Sequence, residues 1–297
     1  MDGELHGDLE AYYKDGSVKQ RTTFKSGLED GLFESFHANG KPHATVQFKE
    51  GKEQGEYKAL YDDGSVGHIL NFDNGERIGE EKRFHPNGAV SLVANHEAGK
   101  PVGVQMGYYP DGTVKSRIPF VDGLRHGEEL QYHPSGNKGS RIEFNNGKRV
   151  GETLGWYPDG VVQLRGIFVD DELTGAYSQY HPSGNLLVEG VYEAGKRTGV
   201  WTSFFDDGAV HQIAPYSADQ VNGWMQEWHP GGKLKAAGSY VNHALEGVFC
   251  LWTTDGSLDA ESGTYQKGKR TGDLTAEQLK TAADLHSKSE PTENSPF

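Results

Sequence analysis

Cysteine is nearly absent from the 297 residues. Cys250 stands alone and cannot close an internal disulfide, so the fold does not depend on an oxidising compartment, and a buried or idle thiol is its ordinary fate. No run approaches the ~18 apolar residues that a membrane span requires, and the opening Met1-Asp-Gly-Glu-Leu-His6 lacks a basic region followed by an apolar one. Positive charge is also short, with 29 Lys and Arg against 43 Asp and Glu, a formal net charge of −14. A surface that tracks nucleic-acid phosphates or an anionic leaflet needs clustered Lys and Arg, so neither is expected as a partner, and basic or neutral partners are favoured.

Chemical motifs are missing as well. No G-x-S-x-G elbow, phosphate loop, CxxC or HxxxH set is present, and no GxGxxG precedes a helix. No cofactor and no metal are expected. Glu56, Glu80, Glu128 and Glu129 fall on strand positions expected to be solvated. An enzymatic role is not expected.

Glycine, in contrast, is abundant at 41 residues, alongside 14 Tyr, 13 Phe and 5 Trp, a mixture that suits β-strands joined by tight turns. It recurs at 7, 31, 55, 79, 103, 127, 151, 175, 199, 223 and 247, an unbroken step of 24 that defines eleven repeats. A second glycine stands nine residues into every repeat, from Gly16 to Gly256. A third, twenty residues in, is replaced in three later repeats by Asp171, Asp219 and His243. The fifth position after each starting glycine is aromatic in ten of eleven repeats, from Tyr12 to Trp252, and the seventeenth is mostly Phe or Tyr.

The first turn reads Pro-Asp-Gly at 110–112 and Asp-Asp-Gly at 62–64, which suits a type I turn ending in a left-handed glycine. The second reads Asn-Asn-Gly-Lys at 145–148, so each repeat is strand, turn, strand, turn. Simple alternation places the fifth, eleventh, fifteenth and seventeenth positions on one face, an apolar stripe that only stacked neighbours can bury. The fold class is therefore all-β: an elongated, twisted antiparallel sheet of tandem 24-residue hairpins over residues 1–272. Residues 273–288 read as a short C-terminal capping helix, with Thr275 and Gln278 as a capping box and Leu279, Ala282 and Ala283 across the last hairpin. Residues 289–297 read as a disordered tail.

A second period of 48 runs through the sixth position: Tyr13, His37, Tyr61, His85, Tyr109, His133, Tyr157, His181, Phe205, His229 and Thr253. The eighth alternates in step, Asp15 and Asp63 against Asn39 and Asn87. Duplication of hairpin pairs is the favoured explanation, and non-equivalent placement of adjacent hairpins the other. Equivalent histidines lie four strands apart, ~19 Å in an open sheet, too far to share one ion. Packing as a ladder is the ordinary reading of these rings. Tyr13, His37, Tyr61, His85, Tyr109, His133, Tyr157, His181 and His229 are nonetheless the best candidates for partner binding, because alternation turns them away from the expected core.

The order aromatic, three residues, Gly, second aromatic, Gly-x-x-x-Gly resembles the MORN repeat over residues 7–272, especially the bacterial variant of YwqK-like antitoxin and immunity proteins. Gly103-Val-Gln-Met-Gly-Tyr-Tyr-Pro-Asp-Gly-Thr-Val and Gly127-Glu-Glu-Leu-Gln-Tyr-His-Pro-Ser-Gly carry it most clearly. The resemblance implies a non-catalytic protein-binding protein, an antitoxin or immunity protein that blocks a cognate toxin, and the acidic charge favours a basic one; the alternative is a general assembly scaffold or membrane-associated MORN protein. A carbohydrate or cell-wall binder using Trp156, Trp201, Trp224, Trp228 and Trp252 is a third reading, although most of these belong in a core. A monomer is favoured. The compartment is cytoplasmic as the sequence is written, or periplasmic or exported if a signal preceded it, since Gly3 and Gly7 stand where closing glycines of an earlier repeat would be.

Overall fold

The computed structural model describes residues 3–288 and 295–296; most of the expected tail, 289–297, lies outside the described residues. The described chain is all-β apart from one helix, α1 (Ala276–Lys288). It divides into two compact units, 1–148 and 149–297. Within each, successive strands pair antiparallel in chain order, as open hairpins. In the first unit Gly7–Tyr12 pairs with Val18–Lys25 and Gly31–Phe36 with Pro42–Lys49. In the second, Glu172–Tyr180 pairs with Leu186–Glu193 and Lys196–Phe204 with Val210–Ser217.

Both turns follow from residue chemistry. At the first, Gly16 N–H donates to Tyr13 O at 3.0 Å while Asp15 Oδ1 accepts from Ser17 N–H at 3.0 Å. The glycine sits at φ 88°, the left-handed conformation its sequence position predicts. Asp63 and Asp111 do the same with Ser65 and Thr113, and these hydroxyl and amide donors hold the carboxyls of Asp15, Asp63 and Asp111 below their ordinary range. At the second turn two consecutive residues take positive φ, as Asn74 (53°) and Gly75 (83°) do, the signature of a type I′ turn.

Where glycine is missing from that turn, the strained conformation brings a side chain into use. Asp219 holds φ 70°, and its Oδ1 accepts from the Arg197 backbone N–H at 2.9 Å and from Arg197 Nε at 3.3 Å. Asp171 repeats this with Arg149, and His243 Nδ1 accepts from Val221 N–H at 3.2 Å. The left-handed cost of about 1–2 kcal/mol is offset by links to the preceding repeat that glycine cannot make.

The face assignment departs from simple alternation. In every hairpin from Gly7 to Gly223 the register slips between the fourth and fifth positions: Ser203 opposes Gln212, yet Phe204 opposes Val210, leaving His211 as an extra residue. This β-bulge reverses the parity of the tip relative to the rest of the hairpin. The fifth and eleventh positions therefore join the first, third and fourteenth, while the fifteenth and seventeenth join the second and thirteenth on the other side. Aromatic rings make the second set visible: Tyr177, Tyr192, Trp201 and Tyr216 form a chain of ring contacts at 5.0–6.3 Å. The first set carries α1, and is called the helix face below.

The capping box is present: Thr275 N–H donates to Gln278 Oε1 at 2.8 Å and Gln278 N–H to Thr275 Oγ1 at 3.3 Å. Of the three residues expected to lie across the hairpin, only Ala282 is buried; Leu279 and Ala283 are exposed, and Leu285 takes the inward place. The reason is the His286 ring, stacked on Trp252 at 5.4 Å, which fixes the rotation of the last turn. Ala282 and Leu285 complete a core with Trp224, Trp228, Leu234, Ala237, Val248, Cys250 and Trp252.

Candidate functional site

The sixth-position ladder is a set of bonds between hairpins. Tyr13, Tyr61 and Tyr109 donate their hydroxyls to the carbonyls of Phe36, Phe84 and Tyr132 at 2.6–2.7 Å. Tyr157 does the same to Tyr180 at 2.8 Å. His37, His85, His181 and His229 use Nε2 toward Leu60, Tyr108, Phe204 and Trp252 carbonyls at 2.9–3.1 Å. A carbonyl only accepts, so each of these rings carries its proton on Nε2. The backbone N–H of His133 donates across its own turn to Asn137 O at 2.8 Å, as the backbone of each other ladder residue does across its turn. All nine rings are half-buried. The structure thus gives eight of these nine sequence candidates a place in the repeat-to-repeat joint, with each bonded polar atom directed at the fifth-position carbonyl of the next hairpin.

The 48-residue period has a physical counterpart here. Asn39 Nδ2 donates to Asp62 O and Asn87 Nδ2 to Pro110 O, and Ser183 and Asn185 both reach Asp206. Tips with Asn or Ser donate forward to the next tip. The Asp tips use their carboxylates inside their own turn.

A second cluster was not legible among the solvated acids. Glu81 lies on the face of the second and seventeenth positions with its side chain 3% exposed. Its Oε1 accepts from His68 Nε2 at 2.8 Å and Arg83 Nε at 2.7 Å, while Oε2 lies 3.6 Å from His96 Nε2 and 3.9 Å from Arg77. The His68 hydrogen bond, followed by Arg83, holds the carboxyl down at about 2 against the opposing cost of burial. Burial pushes the neighbouring His96 ring down, toward its neutral form. Two guanidiniums on one carboxylate make an ion-pair network, and among the described residues no three donors are placed to hold a metal ion.

Glu129 corrects an expectation directly. It is buried, with Arg125 at 3.2 Å and Gln131 at 2.9 Å, whereas Glu56, Glu80 and Glu128 are exposed. The signal lay in the second position of the repeat, which is aromatic in five of eleven repeats, at Phe33, Tyr57, Tyr177, Trp201 and Phe249, and Leu9 or Met225 in two more. Glu81 and Glu129 stand in this inward-facing column as buried carboxylates with partners.

The tryptophans of residues 149–297 bear on function, Trp201 on the face of the second positions and Trp156, Trp224, Trp228 and Trp252 on the helix face. Trp201, Trp224, Trp228 and Trp252 are buried and only Trp156 is half-buried, so four of the five have no open ring face to offer a sugar. Upstream of α1 the helix face is open. A pocket of about 650 Å³ is lined by Ala176, Ser178, Tyr180, Leu186, Val200 and Thr202, with Arg165 and Glu189 among its polar groups.

Tandem hairpins with structural joints and a partly open sheet face are the features of a repeat-based binding protein. Five segments, 5–26, 29–50, 101–122, 125–146 and 173–194, match the MORN repeat variant family. No curated protein matches the chain. Solved structures with similarity include a TcdB2–TccC3–Cdc42 crystal structure, at 10% identity and a TM-score of 0.19, covering 93% of this chain and 18% of that one. The Tc holotoxin pore of Photorhabdus luminescens gives 9% identity and a TM-score of 0.19, covering 83% and 15%. The chain spans under a fifth of the length of each.

Proposed function

We propose that this chain is a non-catalytic binding protein, an antitoxin or immunity protein that occupies the active surface of a cognate toxin. One observation carries the binding reading: the repeat's recurring polar side chains join hairpins or close turns, while the helix face of 149–297 keeps an open apolar strip. The acids with the strongest structural signature serve the fold, Glu81 as an ion-pair centre and the tip aspartates as turn acceptors. The toxin-blocking role rests on the resemblance to the antitoxin variant of the repeat. The net charge of −14 favours a basic target such as a nuclease.

The test is recovery of partners from the native host with the intact chain, identified by mass spectrometry at low and high salt. A stoichiometric toxin-like protein lost at high salt supports the proposal. Recovery of structural proteins or lipid alone replaces it with the scaffold reading.

A further inference from the structure

We infer that the open strip on the helix face of residues 149–297 is a second helix seat, built to take one amphipathic helix of a partner protein beside the chain's own α1. The inference rests on the binding reading above and adds the surface and the shape of what it binds.

Continuity with the α1 seat is the main argument. Ile213 and Val210, in the Gly199 repeat, pack against the core that Ala282 and Leu285 of α1 complete. Ile213 is paired directly with Thr202 across the hairpin, so their side chains share a face. Thr202 and Val200 line the pocket, as do the paired Ser178 and Glu189 one repeat upstream. A single repeat therefore presents one end of a continuous surface to α1 and the other to the pocket.

The exposed side chains fit the same conclusion. Val200 is 59% exposed, and Val191 and Ile167, also on this face, are 43% and 38% exposed. Exposed apolar residues scattered singly need no explanation, whereas Val191 and Val200 both line one depression. Equivalent positions in residues 1–148 are largely charged: Asp8 and Glu10, Glu56 and Lys58, Glu80 and Lys82. Eight of the twelve first and third positions are charged there, with Leu32 and Val104 as exposed apolar exceptions, against Glu152 alone among ten in the second unit.

The depression itself is made by small residues. Ala176 occupies the first position, where the Gly223 repeat has Trp224, and Ser178 the third, where it has Gln226. At the C-terminal seat the tryptophans fill the surface and α1 adds only Ala282 and Leu285 as buried side chains. In the pocket the balance is reversed, so the incoming helix must bring the bulk: a ridge of Leu-sized residues at i, i+3 and i+4, with a Lys or Arg placed to meet Glu189.

The test uses the intact chain and a synthetic peptide of residues 273–288 carrying Ala282→Leu and Ala283→Leu, which with Leu279 make the i, i+3, i+4 ridge, and Glu277→Lys and Asp284→Lys to supply the cation. Methyl NMR should show saturable shifts at Val191, Val200 and Leu186. Val200→Glu, a change at an exposed position that the fold tolerates, should weaken peptide binding at least about tenfold; Ala176→Trp, which fills the pocket, should do the same. Val104→Glu on the first unit should leave it unchanged. Absence of shifts at these methyls, shifts confined to Trp228 and Trp252, or equal binding by Val200→Glu would overturn the inference. So would self-association abolished by Val200→Glu, which would assign the strip to a second copy. The native-host experiment separates the two claims: a partner held equally by the intact chain and both pocket variants removes the helix seat while the binding reading stands. Recovery of no partner removes that reading, and the peptide titration then decides the seat alone.

Discussion

Glu81 offers the sharpest test of the physical reasoning. Its carboxyl is held at about 2 against an ordinary value of 4.5. A difference of that size, at ~1.4 kcal/mol per unit, is worth ~3 kcal/mol of folded stability. The side chain is 3% exposed, but Arg77 and Arg83 are about half exposed, so solvent weakens their pull and this figure is an upper value. Because the folded value lies below the unfolded one, the contribution is fully present above pH 4.5 and disappears as pH falls toward 2. About 2 kcal/mol should already be gone at pH 3. Urea unfolding followed by circular dichroism, at intervals from pH 7 to pH 3, measures this loss. Glu81→Gln keeps the shape but cannot ionise, so its stability should be lower at pH 7 and it should lose about 2 kcal/mol less than the parent between pH 7 and pH 3, the limb that remains belonging to other lowered carboxyls such as Asp15, Asp63 and Asp111. Burial also holds His96 toward its neutral form, so it adds a separate loss that begins as pH falls through the ordinary histidine range near 6.5; the Gln variant retains that limb. An unchanged acid limb below pH 4.5 in Glu81→Gln would refute the assignment of the cluster as an ion-pair network.

Four further outcomes follow from individual contacts. A methyl on Gly190 would lie 2.3 Å from indole carbons of Trp201, so Gly190→Ala should destabilise residues 149–297 by about 1–3 kcal/mol, read as a lower urea midpoint by Trp fluorescence. Tyr61→Phe removes the 2.6 Å donor to Phe84 O and should cost about 1 kcal/mol, with faster amide exchange local to that joint; exchange unchanged there would remove the ladder's structural role. Leu285→Ala should cost about 2–3 kcal/mol and red-shift tryptophan emission as α1 loosens from Trp228 and Trp252, an effect a surface helix would not give. Cys250 is fully buried and its thiol is pushed up to about 12, so a disulfide reagent at pH 8 should label it only after denaturation.

Much of this architecture was determined by the sequence alone. A glycine every 24 residues, with Asp-x-Gly and Asn-Gly between aromatics, demands hairpins, because those residues supply turn geometries that others resist. Thr275 and Gln278 announced α1 through local donors and acceptors. Such features depend on residues only a few positions apart. Which face each column occupies was decided by the tertiary structure, since a bulge is a slip in pairing and no residue type spells it out. The carbonyls that receive the Tyr and His ladder lie 23 residues downstream and exist as partners only once hairpins stack. Burial of Glu81 and Glu129 likewise needs their neighbouring strands in place, with arginines arriving from beside them. The open helix seat depends on the sum of Ala176, Ser178 and Val200 across two repeats, a shape that sequence columns hold in pieces and only the assembled sheet joins.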